Sequence, residues 1–274
     1  MEFTELTKLA IKAAISAGKI IRQNMNAEVL VETKAKGSSY ATQVVTEVDK
    51  ACEKAILAHL QPTCLEFDLA ILTEETEDDG LRFTKDYFWC IDPLDGTLAF
   101  INRHPGFSVS IALVSKDGTP IIGVVYDPST DTIYHAIKGK GAYKNHRAIE
   151  ISQANKHLTY VTDKALKDTI GFNKINDLLD QYAQNLNLDG VKEIAGAGAV
   201  LNAIFALENA PACMIKLPKK EAGGGSLWDY AATACIYNEL NFYATDFEGS
   251  RLDLNKTKGT FMNELGICYT TFRR

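Results

Sequence analysis

An apolar run, Tyr87-Phe88-Trp89-Cys90-Ile91, ends in Asp92-Pro93-Leu94-Asp95-Gly96-Thr97. Asp followed by Pro favours a tight turn. Such a turn brings the carboxylates of Asp92 and Asp95 to one side, with the Leu94 carbonyl between them. Hard oxygen donors grouped in this way suit magnesium. Gly96 and Thr97 then open a helical turn, whose N–H groups suit a phosphate oxygen. The same residues also read as a strand, a turn and a capped helix that hold no ion, and the segment alone does not separate the two.

Other acids sharpen the choice. Glu74 and Glu75 follow a second short apolar run, Leu69-Ala70-Ile71-Leu72, and can reach the same sheet edge. For Glu75, Glu77, Asp78 and Asp79 a solvated acidic loop is the preferred reading. Asp229 follows Gly223-Gly224-Gly225-Ser226-Leu227-Trp228 near a helix start, where an acid also serves a first helical turn. Asp49 completes a capping pattern with Thr46. Lys216, Lys219 and Lys220 lie ahead of that helix; they can face a second phosphate, or form a solvated basic loop, which is the reading preferred here.

These groups need elements to carry them. Apolar residues at Leu6, Leu9, Ala10, Ala13, Ala17, Ile20 and Ile21 predict a helix from Thr4 to about Met25. A polar loop at 34–39 separates it from a second helix starting near Thr46, with Val48, Cys52, Ala55, Ile56 and Leu60 on one face. Phe107–Val114, Pro120–Tyr126 and Thr132–Ile137 read as an antiparallel meander, turning at Asp117-Gly118 and Asp127-Pro128. In the second half, helices are expected at Asn173–Gln184, Ala199–Leu207 and Leu227–Tyr237. Strands are expected at Val191–Ile194, Phe242–Tyr243 and Ile267–Tyr269. Two lobes, residues 1–150 and 151–274, are expected with a boundary near Ile151.

Composition bounds the partners. The 274 residues are 46% hydrophobic and 23% charged, with a formal net charge of −6. That balance argues against a nucleic-acid-binding surface. It also asks how an acidic protein would hold a phosphate, to which a divalent cation is one answer. Six scattered cysteines without a CxxC pair are expected to be reduced, and five histidines lack zinc-ligand spacing. The first residues show no secretory pattern, and the apolar stretch Ile194–Leu207 is too short to span a bilayer. A soluble, cytoplasmic protein without a membrane or nucleic-acid partner is the expectation.

Taken together, these motifs resemble the inositol-monophosphatase superfamily. Its first signature is similar to Trp89-Cys90-Ile91-Asp92-Pro93-Leu94-Asp95-Gly96-Thr97 with Phe100, and its second to Trp228-Asp229-Tyr230-Ala231-Ala232. Glu74-Glu75 resembles the family's acidic pair, with Thr73 where a glycine is usual, and Thr46–Asp49 its early Thr-x-x-Asp. Phe100-Ile101-Asn102-Arg103 and Gly123-Val124-Val125-Tyr126-Asp127-Pro128 look most like the 3′(2′),5′-bisphosphate nucleotidase branch, although Leu98-Ala99 fits neither that branch nor the inositol one.

The resemblance implies an α/β (α+β) fold, a layered αβαβα sandwich like that of inositol monophosphatase and fructose bisphosphatase. The N-terminal lobe would carry the large antiparallel sheet and the metal site, and the C-terminal lobe would supply Asp229 and substrate contacts. It implies a phosphomonoesterase with two or three Mg2+ ions, sensitive to lithium, acting on a small phosphorylated substrate by direct attack of water. Glu74, Asp92 and the Leu94 carbonyl would hold one ion; Asp92, Asp95 and Asp229 would hold another. Thr97 would orient the water, and Asp49 or Glu74 would receive its proton. Gly96, Thr97, Asp95, Asp229, Lys216 and Lys219 would contact substrate. The branch implies 3′(2′)-phosphoadenosine 5′-phosphate, cleaved to AMP and phosphate. Inositol monophosphate is the alternative substrate, and a catalytically silent ligand-binding or partner-binding relative the alternative of another class. The family also implies a homodimer, for which no stretch identifies a face.

One look-alike is excluded by a single residue. Asp95-Gly96-Thr97-Leu98 resembles the opening of haloacid-dehalogenase phosphatases, which attack with an Asp two positions earlier. Pro93 stands there and has no nucleophile.

Overall fold

The structure, a computed structural model, describes residues 1–25, 31–33, 44–163, 172–221 and 223–272, with the backbone alone at 31–33, 44–46 and 172. The expected loop at 34–39 and the Thr46 side chain of the expected capping pattern lie outside the described residues.

The chain opens with α1 (Phe3–Asn24), which buries Leu6, Ala10, Ala13, Ala14, Ala17 and Ile21 along one stripe. Leu9 and Ile20 stand at the margins of that stripe, half-buried. Strands β1 (Val31–Thr33) and β2 (Val44–Thr46) pair antiparallel, and β2 leads into α2 (Glu47–Phe67). There follow β3 (Ala70–Thr73), β4 (Tyr87–Asp95), the one-turn α3 (Thr97–Ile101), β5 (Ser108–Ser115), β6 (Pro120–Asp127), β7 (Thr132–Ile137), β8 (Gly141–Lys144) and β9 (Arg147–Ala148). Strands β3 to β9 form a seven-stranded sheet in sequence order. Its neighbours are antiparallel except β3 and β4, which run parallel.

The second half holds β10 (Leu158–Thr162), α4 (Phe172–Asn185), β11 (Val191–Ala195), α5 (Ala199–Glu208), β12 (Ala212–Lys216), α6 (Leu227–Glu239), β13 (Tyr243–Thr245) and β14 (Ile267–Thr270). Its sheet is five-stranded, in the order β11-β10-β12-β14-β13.

Strands β4 to β6, at the centre of the large sheet, are buried on both faces, so they read as nearly continuous apolar runs rather than alternating. Val109, Ile111 and Leu113 of β5 pack beneath α1 and α2 in one core. Ala112 and Val114 face α5 and α6 in a second core, which reaches Val161 and Met214 of the small sheet. A third, smaller core under α4 covers the outer face with Leu158, Tyr160 and Leu179. The result is the expected αβαβα layering. Close approach needs a small residue at Gly123 of β6, where a Cβ would stand 2.3 Å from the Ala232 carbonyl oxygen of α6.

One expectation changes. Asp92-Pro93-Leu94-Asp95 is not a tight turn: β4 continues through it. Asp92 pairs with Ser110 and Asp95 with Ser108, so one extra residue is accommodated as a bulge. A bulge is where a strand interior tolerates proline, which has no N–H for the ladder. The sequence expectations also omit β10 and β12 of the small sheet: β10, Leu158-Thr159-Tyr160-Val161-Thr162, is rich in strand-forming residues and was legible, whereas β12 carries a weak pattern. The run Ala212-Cys213-Met214-Ile215 offers a single β-branched residue.

Candidate metal centre

The bulge aims the acids of β4. The Leu94 N–H donates to Asp92 Oδ1 at 3.0 Å, fixing that carboxylate, while the Leu94 side chain is buried in the core beneath. The Leu94 carbonyl faces the other way and accepts the Thr97 hydroxyl at 3.0 Å. Gly96 sits between with φ +80°, and a Cβ there would meet the Gly106 carbonyl oxygen at 2.4 Å. Glycine is therefore required for both reasons.

Asp95 reaches across to the second half. Its two oxygens accept the N–H groups of Ala199 at 3.1 Å and Val200 at 3.0 Å, the first donors of α5. Asp229 lies in the first turn of α6 and accepts the Ser226 N–H at 2.6 Å, the reach-back of a capping box. Its ordinary role as a helix-start acid is therefore filled, and it still presents an oxygen to the centre. Donor oxygens of Asp92, Asp95 and Asp229 all lie within 4.8 Å of one another. The Glu74 N–H is pinned to the Ile91 carbonyl at 3.2 Å, which sets Glu74 at the same sheet edge.

Electrostatics decide what this cluster can hold. Burial, then the charges of Glu74, Asp95 and Asp229, push the Asp92 carboxyl well above the usual carboxylate range, against the Leu94 N–H. Burial and Asp229 raise Asp95, opposed by the two α5 N–H groups and Lys216. Burial raises Asp229, with Lys216 opposing. Lys216 is itself drawn to Asp163, 3.5 Å away. Buried acids packed this closely ionise together only with added positive charge, and an all-oxygen donor set fits a hard divalent ion.

Glu74, Asp92, Leu94, Asp95, Gly96, Thr97, Lys216 and Asp229 line one cleft of about 480 Å³. Lys219 and Asp49 are not among the described residues lining it. The Lys219 ammonium donates to the Gly223 carbonyl at 3.1 Å. Asp49 is buried in the first turn of α2, which β2 delivers from beside α3. The cleft also contains Asp163, His104 and the Gly196–Ala199 segment, which motif and spacing did not single out. Asp163 follows the C-terminal end of β10, where parallel strands place ligand-facing loops; without β10 that signal was invisible. The cysteines are buried hydrophobes, Cys64 alone being half-buried, and none is in a disulfide.

A family model described as the inositol monophosphatase family matches residues 2–270. Inositol monophosphatase 2 of Solanum lycopersicum is 31% identical over 262 residues, covering 91% of this chain and 90% of that protein. The 3'(2'),5'-bisphosphate nucleotidase CysQ of Aggregatibacter actinomycetemcomitans is 31% identical over 266 residues, covering 95% and 91%. Among solved structures, CysQ from Bacteroides thetaiotaomicron superposes with a TM-score of 0.75 at 24% identity, covering 99% of each chain, a likeness of fold.

Proposed function

The chain belongs to the inositol monophosphatase family, a family of metal-dependent phosphatases acting on small phosphorylated substrates, and on that premise we propose that it hydrolyses 3′(2′)-phosphoadenosine 5′-phosphate to AMP and phosphate with magnesium. The convergence of Asp92, Asp95 and Asp229 within 4.8 Å at the floor of one cleft carries the reading.

Glu74, Asp92, the Leu94 carbonyl, Asp95 and Asp229 are the residues for two or three Mg2+ ions. When bound, such ions neutralise the ester's charge and lower the pKa of the attacking water. The Thr97 hydroxyl donates a hydrogen bond to the Leu94 carbonyl oxygen, and the lone pairs of that hydroxyl stay free to accept from a water and orient it. Glu74, which lines the cleft, receives the water's proton. The Gly96 and Thr97 N–H groups steady the phosphate as its charge shifts.

The substrate choice rests on two supports. Lys216 stands in the cleft beside the acids, where it would contact a second phosphate, and Leu98, Ala99, Ala195 and Ala197 among the lining residues would offer apolar surface to a base. The relative at 95% coverage is named for a bisphosphate nucleotidase. Inositol monophosphate is the second reading, supported by the relative named inositol monophosphatase 2. Residues 1–150 would carry the metal-holding sheet edge and residues 151–274 would supply Asp229 and Lys216.

The test is catalytic efficiency with magnesium on three esters: phosphoadenosine phosphate, inositol 1-phosphate and fructose 1,6-bisphosphate. Preference for the first supports the assignment, and preference for either of the others replaces it. Absence of magnesium-dependent release from all three refutes the enzyme reading.

A further inference from the structure

Arg82 is 1% exposed, although it sits in the connection between β3 and β4, on the short turn Leu81–Phe83. A buried guanidinium is costly unless its donors are matched. Here Nε donates to Asp78 Oδ2 at 2.8 Å, and one terminal nitrogen donates to Asn255 Oδ1 at 2.6 Å and to the Lys256 carbonyl at 3.0 Å. Asn255 returns the contact, its amide donating to the Arg82 carbonyl at 3.2 Å and the Lys116 carbonyl at 2.8 Å.

The clamp joins two segments that each lead to a member of the acid cluster. Upstream, the loop runs from Asp78 back to Glu74. Downstream of Asn255, the chain holds the glycine loop ahead of α6. The Met262 N–H donates to the Gly225 carbonyl at 3.0 Å, and the Leu227 N–H to the Thr260 carbonyl at 3.0 Å. Asn263 donates to the Gly224 carbonyl and accepts the Tyr230 hydroxyl at 2.8 Å. Asp229 is set by that same loop through Ser226.

We infer that Arg82 is a positioning residue of the metal centre: it ties the segment bearing Glu74 to the segment that sets Asp229, and so fixes the spacing between the two ends of the ligand set. The inference rests on the magnesium reading above. It requires that loss of Arg82 act on metal affinity rather than on the chemical step.

The experiment compares wild type, Arg82→Lys, Arg82→Gln and Asn255→Ala as full chains. Magnesium binding is measured by calorimetry, and phosphate release is measured as magnesium is titrated. Arg82→Gln should weaken magnesium binding about tenfold or more, as loss of outer supporting groups does elsewhere, with turnover at saturating magnesium within about threefold. Arg82→Lys should recover part of the affinity. Asn255→Ala should show a similar loss, and combining it with Arg82→Gln should add little. Unchanged magnesium affinity in folded Arg82→Gln, or in Asn255→Ala should the former not fold, overturns the inference, whatever happens to the melting temperature. A wild type that binds magnesium without turnover defeats the functional reading and leaves the affinity comparison standing; one that does not bind magnesium defeats both.

Discussion

Asp95 Oδ2 accepts the N–H of Val200 at 3.0 Å, across 105 residues of chain. A carboxylate from the bulge of β4 therefore caps the first turn of α5, and the same side chain is one of three whose oxygens converge. Helix capping and membership of the acid cluster share this residue, which makes the cluster part of the interface between the sheet and the inner helices.

Substitution of Asp95 by Asn should separate the two roles. The amide keeps one acceptor for α5 and loses the charge. Phosphate release should fall by roughly a hundredfold or more, since even outer supporting groups cost ten- to a hundredfold in affinity. The far-ultraviolet circular dichroism should match wild type. Activity within a few-fold of wild type at saturating magnesium would remove Asp95 from the ligand set.

Asp92→Asn should abolish turnover and yet leave the metal-free protein at least as stable as wild type at pH 8. Burial and three neighbouring acids raise the Asp92 pKa in the folded state. A raised carboxyl costs stability once pH exceeds its unfolded value of about 4, and the cost grows until pH reaches the folded value. Asn escapes that cost, so the stability difference should vanish near pH 4. Paired thermal melts at the two pH values check the sign.

Magnesium should stabilise wild type more at pH 8 than at pH 5.5. The raised carboxyls of Asp92, Asp95 and Asp229 must release protons to bind a cation. The rise in melting temperature at fixed magnesium should therefore grow with pH. A rise independent of pH would mean that these acids are not the ligands.

Lys216→Met tests the second-phosphate contact. A charge-assisted hydrogen bond of about 1.5–3 kcal/mol corresponds to roughly a tenfold or greater rise in KM for the bisphosphate. KM for a monophosphate should move little. Lys219→Met, removing an ammonium that donates to Gly223, should leave both substrates within about twofold. Equal effects of Lys216→Met on the two substrate classes would argue for a role in tempering Asp95 and Asp229 instead.

Gly123→Ala should destabilise by about 1–3 kcal/mol, the usual cost of overpacking. The added carbon would stand 2.3 Å from the Ala232 carbonyl oxygen and 2.9 Å from Cys235 Cβ, both on α6. Because α6 also carries Asp229, magnesium half-saturation should rise as well. Urea unfolding and a magnesium titration measure the two effects.

The candidate acids were legible because their local settings are distinctive: Asp92 and Asp95 end an apolar strand, Glu74 follows another, and Asp229 follows a glycine loop. The helices α1 and α2 were legible from their spacing, α5 from its apolar run, α6 from the glycine loop that leads into it, and β5 to β7 from short apolar runs between turn residues. The Arg82 clamp was not, since its partners Asn255 and Lys256 are remote in sequence and share no motif with it. Nor was β12, whose short run Ala212–Lys216 has one β-branched residue and acquires meaning from the strands that pair with it.

By itself, then, the sequence determined which side chains could bind an ion and the order in which strands and helices would present them. These are properties of residue type and spacing, which are local. Only the tertiary structure decided that Asp95 would cap α5, that Lys216 would enter the cleft while Lys219 turned to Gly223, and that Asp163 would join them. Each of those outcomes depends on which distant backbone arrives beside a side chain, and that is set by how the two sheets close on the helices between them.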